Sequence, residues 1–145
     1  MSKGKVFLGG TCNGKDWRPE LIKKITCDYF NPLVKDWTEE RRVIEIKERE
    51  TDDKVLYTLT KDMIGVYSVA EVTDDSNKRP EKTILCIIKD GFSDGMLRSL
   101  DALAKMVEKN GAKVFYSLDD VAEELNKTIG EKPMKESIDD EIMSE

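Results

Sequence analysis

The 145-residue chain contains no histidine. That absence removes Ser-His-Asp triads, imidazole acid–base chemistry and histidine metal sites, so carboxylates are left to move protons or act as nucleophiles. It has three cysteines, Cys12, Cys27 and Cys86, with no Cys-x-x-Cys pair. So sparse and odd a set, with no secretory signal, points to reduced thiols in a cytoplasmic protein. Cys27 and Cys86 are expected as small buried hydrophobes, while Cys12, beside a Gly-Gly-Thr turn, is the one to follow. The longest apolar run, Thr83-Ile-Leu-Cys-Ile-Ile88, is strand-sized and far short of the roughly 18 residues that span a bilayer, so no membrane partner is expected. Positive charge is also short: 24 Lys and Arg against 30 Asp and Glu give a net charge of −6, with the cations interspersed among carboxylates. The electrostatic footprint of duplex nucleic acid binding is missing.

What remains alternates between two periodicities. Lys5–Gly9, Asp28–Asn31, Lys54–Thr60, Thr83–Ile88 and Ala112–Tyr116 are short and rich in β-formers, which predicts five strands. Between and after them lie helical patterns. One runs over Trp17–Ile25 with Asp16 as N-cap and Pro19 in the first turn; another starts at Thr38 and ends near Glu50; a short one covers Ser68–Asp74. The clearest, Phe92–Asn110, carries Met96, Leu97, Leu100, Leu103, Ala104 and Val107 on one side and stops at Gly111. A last helix is capped by Ser117 and runs to about Ile129. Strand–helix alternation with right-handed crossovers predicts an α/β, flavodoxin-like, doubly wound parallel sheet in the order 2-1-3-4-5. The domain is expected over residues 1–130, followed by an acidic, flexible tail over 131–145.

In such a sheet the ligand crevice lies beyond the carboxyl ends of the strands, where the strand order switches, here between strands one and three. Those ends carry Gly9, Gly10, Thr11, Trp17 and Arg18; then Asn31, Asp36 and Trp37; then Asp62, Tyr67, Ser68 and Glu71. Ser68-Val-Ala-Glu71 has the spacing of a capping box, and a carboxylate one turn into a helix start is expected to be kept ionised by nearby N–H donors.

Val6-Phe-Leu-Gly-Gly-Thr-Cys-Asn-Gly-Lys-Asp-Trp-Arg18, Tyr29-Phe-Asn-Pro-Leu-Val-Lys-Asp-Trp37 and Gly65-Val-Tyr-Ser-Val-Ala-Glu71 resemble, in order, segments of the nucleoside 2-deoxyribosyltransferase-like family. The resemblance covers residues 5 to about 88. It implies N-glycosyl transfer or hydrolysis on a (deoxy)ribonucleoside or nucleotide, without metal or organic cofactor, in a homo-oligomer whose pocket a neighbouring subunit completes. Glu71 falls on the family's nucleophilic glutamate. Where the family carries an aspartate six residues earlier, this chain has Gly65.

General chemistry fits the same assignment, since a carboxylate suits attack on a sugar carbon of oxocarbenium character and a covalent ester divides one hard displacement into two. A second acid is needed for the departing base, and Asp62 and Asp36 are the candidates. Gly9, Gly10 and Thr11 offer backbone amides to a sugar or 5′-phosphate, Arg18 a charge for that phosphate, and Trp17 and Trp37 faces for the base. Asn31 and Ser68 join the substrate-binding set, and Tyr67 orients the nucleophile. The alternative is a catalytically inactive nucleotide-binding module of the same fold, which the Gly65 departure motivates.

Overall fold

A computed structural model describes residues 3–131. The acidic tail expected from residue 131 onward lies, from 132, outside the described residues. The order is β1 Lys5–Gly10, α1 Arg18–Ile22, β2 Asp28–Phe30, α2 Glu39–Thr51, β3 Lys54–Leu59, α3 Tyr67–Lys78, β4 Thr83–Ile87, α4 Asp94–Lys109, β5 Lys113–Phe115 and α5 Leu118–Ile129. A single 3-10 turn, Pro80–Lys82, leads into β4. The five strands form one parallel sheet in the order β2-β1-β3-β4-β5, the flavodoxin-like α/β arrangement.

Side chains alternate across each strand, so one apolar run supplies two cores. Val6, Leu8, Leu56, Ile84 and Cys86 face Leu21, Val121 and Leu125 of α1 and α5. Phe7, Val55, Tyr57, Leu59, Leu85 and Ile87 face Val72 of α3 and Leu100, Ala104 and Val107 of α4. The central strands β3 and β4 are buried almost throughout, which is why they read as near-continuous apolar runs.

Helix α2 is different: none of its residues is buried. It starts where Thr38 Oγ1 accepts from Arg41 N at 3.1 Å, as the sequence predicts. It is held on the α3 side by polar contacts. Lys5 Nζ meets Glu48 at 2.8 Å, the Arg41 guanidinium lies 4.9 Å from the Phe30 ring, and Arg49 reaches Asp74 and Asp75.

The boundaries of α1 and α3 move. α1 ends at Ile22 rather than Ile25, because Thr26 N donates to Asn126 Oδ1 at 2.8 Å and turns the chain toward β2. Asp16 Oδ1 accepts from Arg18 N at 3.1 Å, which does an N-cap's work two residues on. α3 runs to Lys78, a turn beyond the expected Asp74, and it begins at Tyr67 after Val66, which offers no side-chain cap. The Ser68–Glu71 capping box therefore does not form: Ser68 is already inside the helix. Among the described residues no helix is long and apolar enough to cross a membrane.

Candidate functional site

A cavity of about 570 Å³ opens at the carboxyl end of the sheet. Its walls come from the end of β1, the loop after β2, one face of α2 and the start of α3. The volume lies within the usual range for small-ligand sites, roughly 300–1,000 Å³. Of the residues singled out in the sequence, Gly9, Gly10, Arg18, Trp37, Tyr67, Ser68 and Glu71 line it.

Gly9 and Gly10 are required by their packing on β3. A Cβ on Gly9 would stand 2.8 Å from the Tyr57 ring, and Gly10, at φ +116°, would press one to 2.1 Å from Thr58 O. Any other residue there would push β1, whose end lines the cavity, off β3.

Thr11, Trp17, Asn31, Asp36 and Asp62 are not brought to the cavity. Thr11 is buried, with its hydroxyl accepting from Thr60 N at 2.9 Å. Trp17 is 5% exposed and donates its indole N–H to Thr11 O at 3.0 Å, so it is a core residue and presents no face to a base. Asn31 Oδ1 accepts from Leu33 N at 3.0 Å, a local turn bond. Asp36 is exposed beside the cavity wall. Asp62, expected as the second acid, instead accepts from Lys15 N at 3.2 Å and pairs with Lys61, so it fastens the loop after β1.

Arg18 lines the cavity but is 1% exposed, and its charge is already met. Its guanidinium donates to Leu8 O at 2.8 Å, Thr11 O at 3.0 Å and Asp16 Oδ1 at 3.1 Å. Burial lowers its pKa and Asp16 opposes that shift. It is the post around which the loop after β1 folds, rather than a free phosphate receptor.

The sequence reading missed the face that α2 turns inward. Arg42, Glu45, Ile46 and Arg49 all line the cavity. They stand at i, i+3, i+4 and i+7, the positions that a surface helix reserves for its apolar stripe. Charged residues at stripe positions were the available signal. Glu45 Oε2 accepts from the Trp37 indole N–H at 3.1 Å, which fixes a half-exposed aromatic shelf at the mouth.

Glu71 lies deeper, its side chain 17% exposed. Its carboxyl is pushed up to about 7, chiefly by burial; Arg49 at 3.6 Å pulls it down, while Asp75 and Glu45 add to the rise. This reverses the expectation of a carboxylate kept ionised by helix-start donors. With α3 starting at Tyr67, Glu71 stands past the first turn and its free N–H groups. Behind it, the fully buried Asp75 accepts from the Tyr57 hydroxyl and from the Arg49 and Arg79 guanidiniums. Burial, and after it Asp75 and Glu71, push the Tyr57 phenol up, so it stays a proton donor. Among the described residues no group of three or more Cys, Asp or Glu could hold a metal ion.

The chain matches no protein-family model, and it has no match among curated proteins. Among solved structures it is similar to a conserved protein from Enterococcus faecalis V583, with a TM-score of 0.56 and 15% identity over 88% of this chain and 100% of that one. At that identity the likeness is one of architecture: both chains are built on the same α/β fold.

Proposed function

We propose that this chain is an N-glycosyl enzyme acting on a (deoxy)ribonucleoside or nucleotide, as its resemblance to the nucleoside 2-deoxyribosyltransferase-like family implies. The observation that carries the reading is the pair of carboxylates, Glu71 and Glu45, lining one cavity beside an aromatic shelf. Ionised Glu71 attacks C1 of the sugar. The C1–N bond breaks, its electron pair leaves with the base, and a glycosyl ester remains on Glu71 until a second base or water takes the sugar. Glu45 replaces Asp62 as the group that exchanges a proton with the base, because it shares the cavity and Asp62 does not. Trp37 supplies the stacking face expected of the two tryptophans.

Tyr67, which lines the cavity, is 70% exposed, and the residues just before it in the chain carry two more apolar side chains that face water, Ile64 at 83% and Val66 at 76%. So exposed a segment supports a homo-oligomer in which a second subunit covers the site.

The direct test is base release from a panel of nucleosides and 5′-nucleotides, followed by mass spectrometry for a sugar adduct on Glu71. Glu71→Ala should abolish release, and Glu45→Gln should slow it by roughly 10²-fold or more, the usual effect of losing an acid–base group. Full activity in the Glu71 variant removes the mechanism. A second reading, a nucleotide-binding module without chemistry, is favoured by Gly65, where a Cβ would meet nothing within 4 Å. The carboxylate that the resemblance places there is missing from open space. Tight nucleotide binding with no turnover, unchanged by Glu71→Gln, would select that reading.

A further inference from the structure

We propose that Arg49 is the positioning residue of this site: clamped by the buried Asp75, it holds a fixed positive charge beside Glu71 without donating a hydrogen bond to it. The inference rests on the glycosyl reading above and goes beyond it in naming what prepares the nucleophile.

The geometry is asymmetric. Arg49 Nη2 donates to Asp75 Oδ1 at 3.1 Å and to Asp74 Oδ2 at 3.3 Å, and its Nε to Asp75 Oδ2 at 3.3 Å. Two bonds to one carboxylate set the plane of the guanidinium as well as its place. Nη1 then stands 3.6 Å from Glu71 Oε2, near enough for strong Coulomb attraction and too far for a hydrogen bond. Among the described residues neither Glu71 oxygen accepts a hydrogen bond. The fixed charge favours the ionised form and leaves the lone pairs of both oxygens open to C1.

Asp75 suits the role of anchor. It is fully buried and is itself fixed by the Tyr57 hydroxyl on β3 and by Arg79, the residue that follows α3. The clamp therefore joins the last turn of α2 to α3 across the floor of the cavity. The groups facing Glu71 are Arg49 and Glu45 from α2, Asp75 from its own helix and the Tyr57 phenol from β3. Arg49 is the one cation among them, and it opposes both burial and the two carboxylates. Lysine would carry the charge but could not take the two-point anchor.

The test is a carboxyl ¹³C NMR titration of the full chain labelled at glutamate, with the Glu71 signal assigned by Glu71→Gln. Arg49→Met should raise the Glu71 midpoint by a unit or more, a tenfold or greater loss of ionised enzyme below it. The acid limb of kcat/KM should move by the same amount. Arg49→Lys, the variant less disruptive to folding, should move both by about half as much. Midpoints that stay at the wild-type value in whichever of these variants fold overturn the inference. If the midpoint moves but wild-type protein releases no base from any nucleoside, the glycosyl reading falls and the coupling of Arg49 to Glu71 stands.

Discussion

Replacing Glu71 by Gln removes a buried charge while leaving the volume of the side chain nearly unchanged. In the folded protein this carboxyl titrates at about 7, against an ordinary value of 4.5. Between those pH values the folded state keeps a proton that the unfolded chain has lost. The stability this provides is complete below 4.5, declines as pH rises, and is gone above about 7. A difference of about 2.5 units corresponds to about 3 kcal/mol. With the side chain 17% exposed, solvent screening takes only a modest part of that. Gln should therefore match wild type at pH 4, where Glu71 is itself neutral, and exceed it at pH 8.5 by up to about 3 kcal/mol, or on the order of 10 °C in Tm. Thermal unfolding followed by circular dichroism at half-unit steps from pH 4 to 8.5 measures this. The quantity that counts is the difference between the two proteins. Asp52, buried beside Glu48 and also raised, bends both curves over the same window and cancels from the difference. A gap of the same size at every pH would refute the burial argument. So would Gln being the less stable protein at pH 8.5, which would make the charged pair with Arg49 a net stabilising contact.

The two tryptophans should part company. Trp17→Ala empties a core position and should cost about 3–5 kcal/mol in denaturant unfolding, while Trp37→Ala, removing a side chain 57% exposed, should leave stability within about 1 kcal/mol and weaken nucleotide binding in calorimetry. Gly10→Ala should prevent stable folding, as judged by circular dichroism, because both its positive φ and the Thr58 backbone oppose a Cβ. Cys12 is exposed and lines the cavity. It should be alkylated in the native protein and shielded by bound nucleotide. Cys27 and Cys86, buried with thiols pushed up to about 11 and about 12 by burial, should react only on unfolding. Peptide mass mapping of iodoacetamide adducts separates the three.

The sequence alone determined the elements and their order, because strand and helix periods are local and a parallel sheet leaves few ways to connect them. The short apolar runs of β1, β3 and β4, the caps at Thr38 and Ser117, and the stripe of α4 are all visible within a dozen residues. The place of the cavity followed from the same logic, since it depends only on where the strand order switches. Tertiary structure decided which side chains reach that place. Trp17 and Trp37 look alike in sequence, yet one closes a core and the other faces the cavity. The charges of α2 hide its inward face, so Glu45 and Arg49 emerged only when α2 was seen against α3. Whether Glu71 carries its charge at neutral pH depends on burial and on a guanidinium 22 positions earlier in the chain. Coulomb forces and desolvation act through space, and no spacing along the chain encodes them.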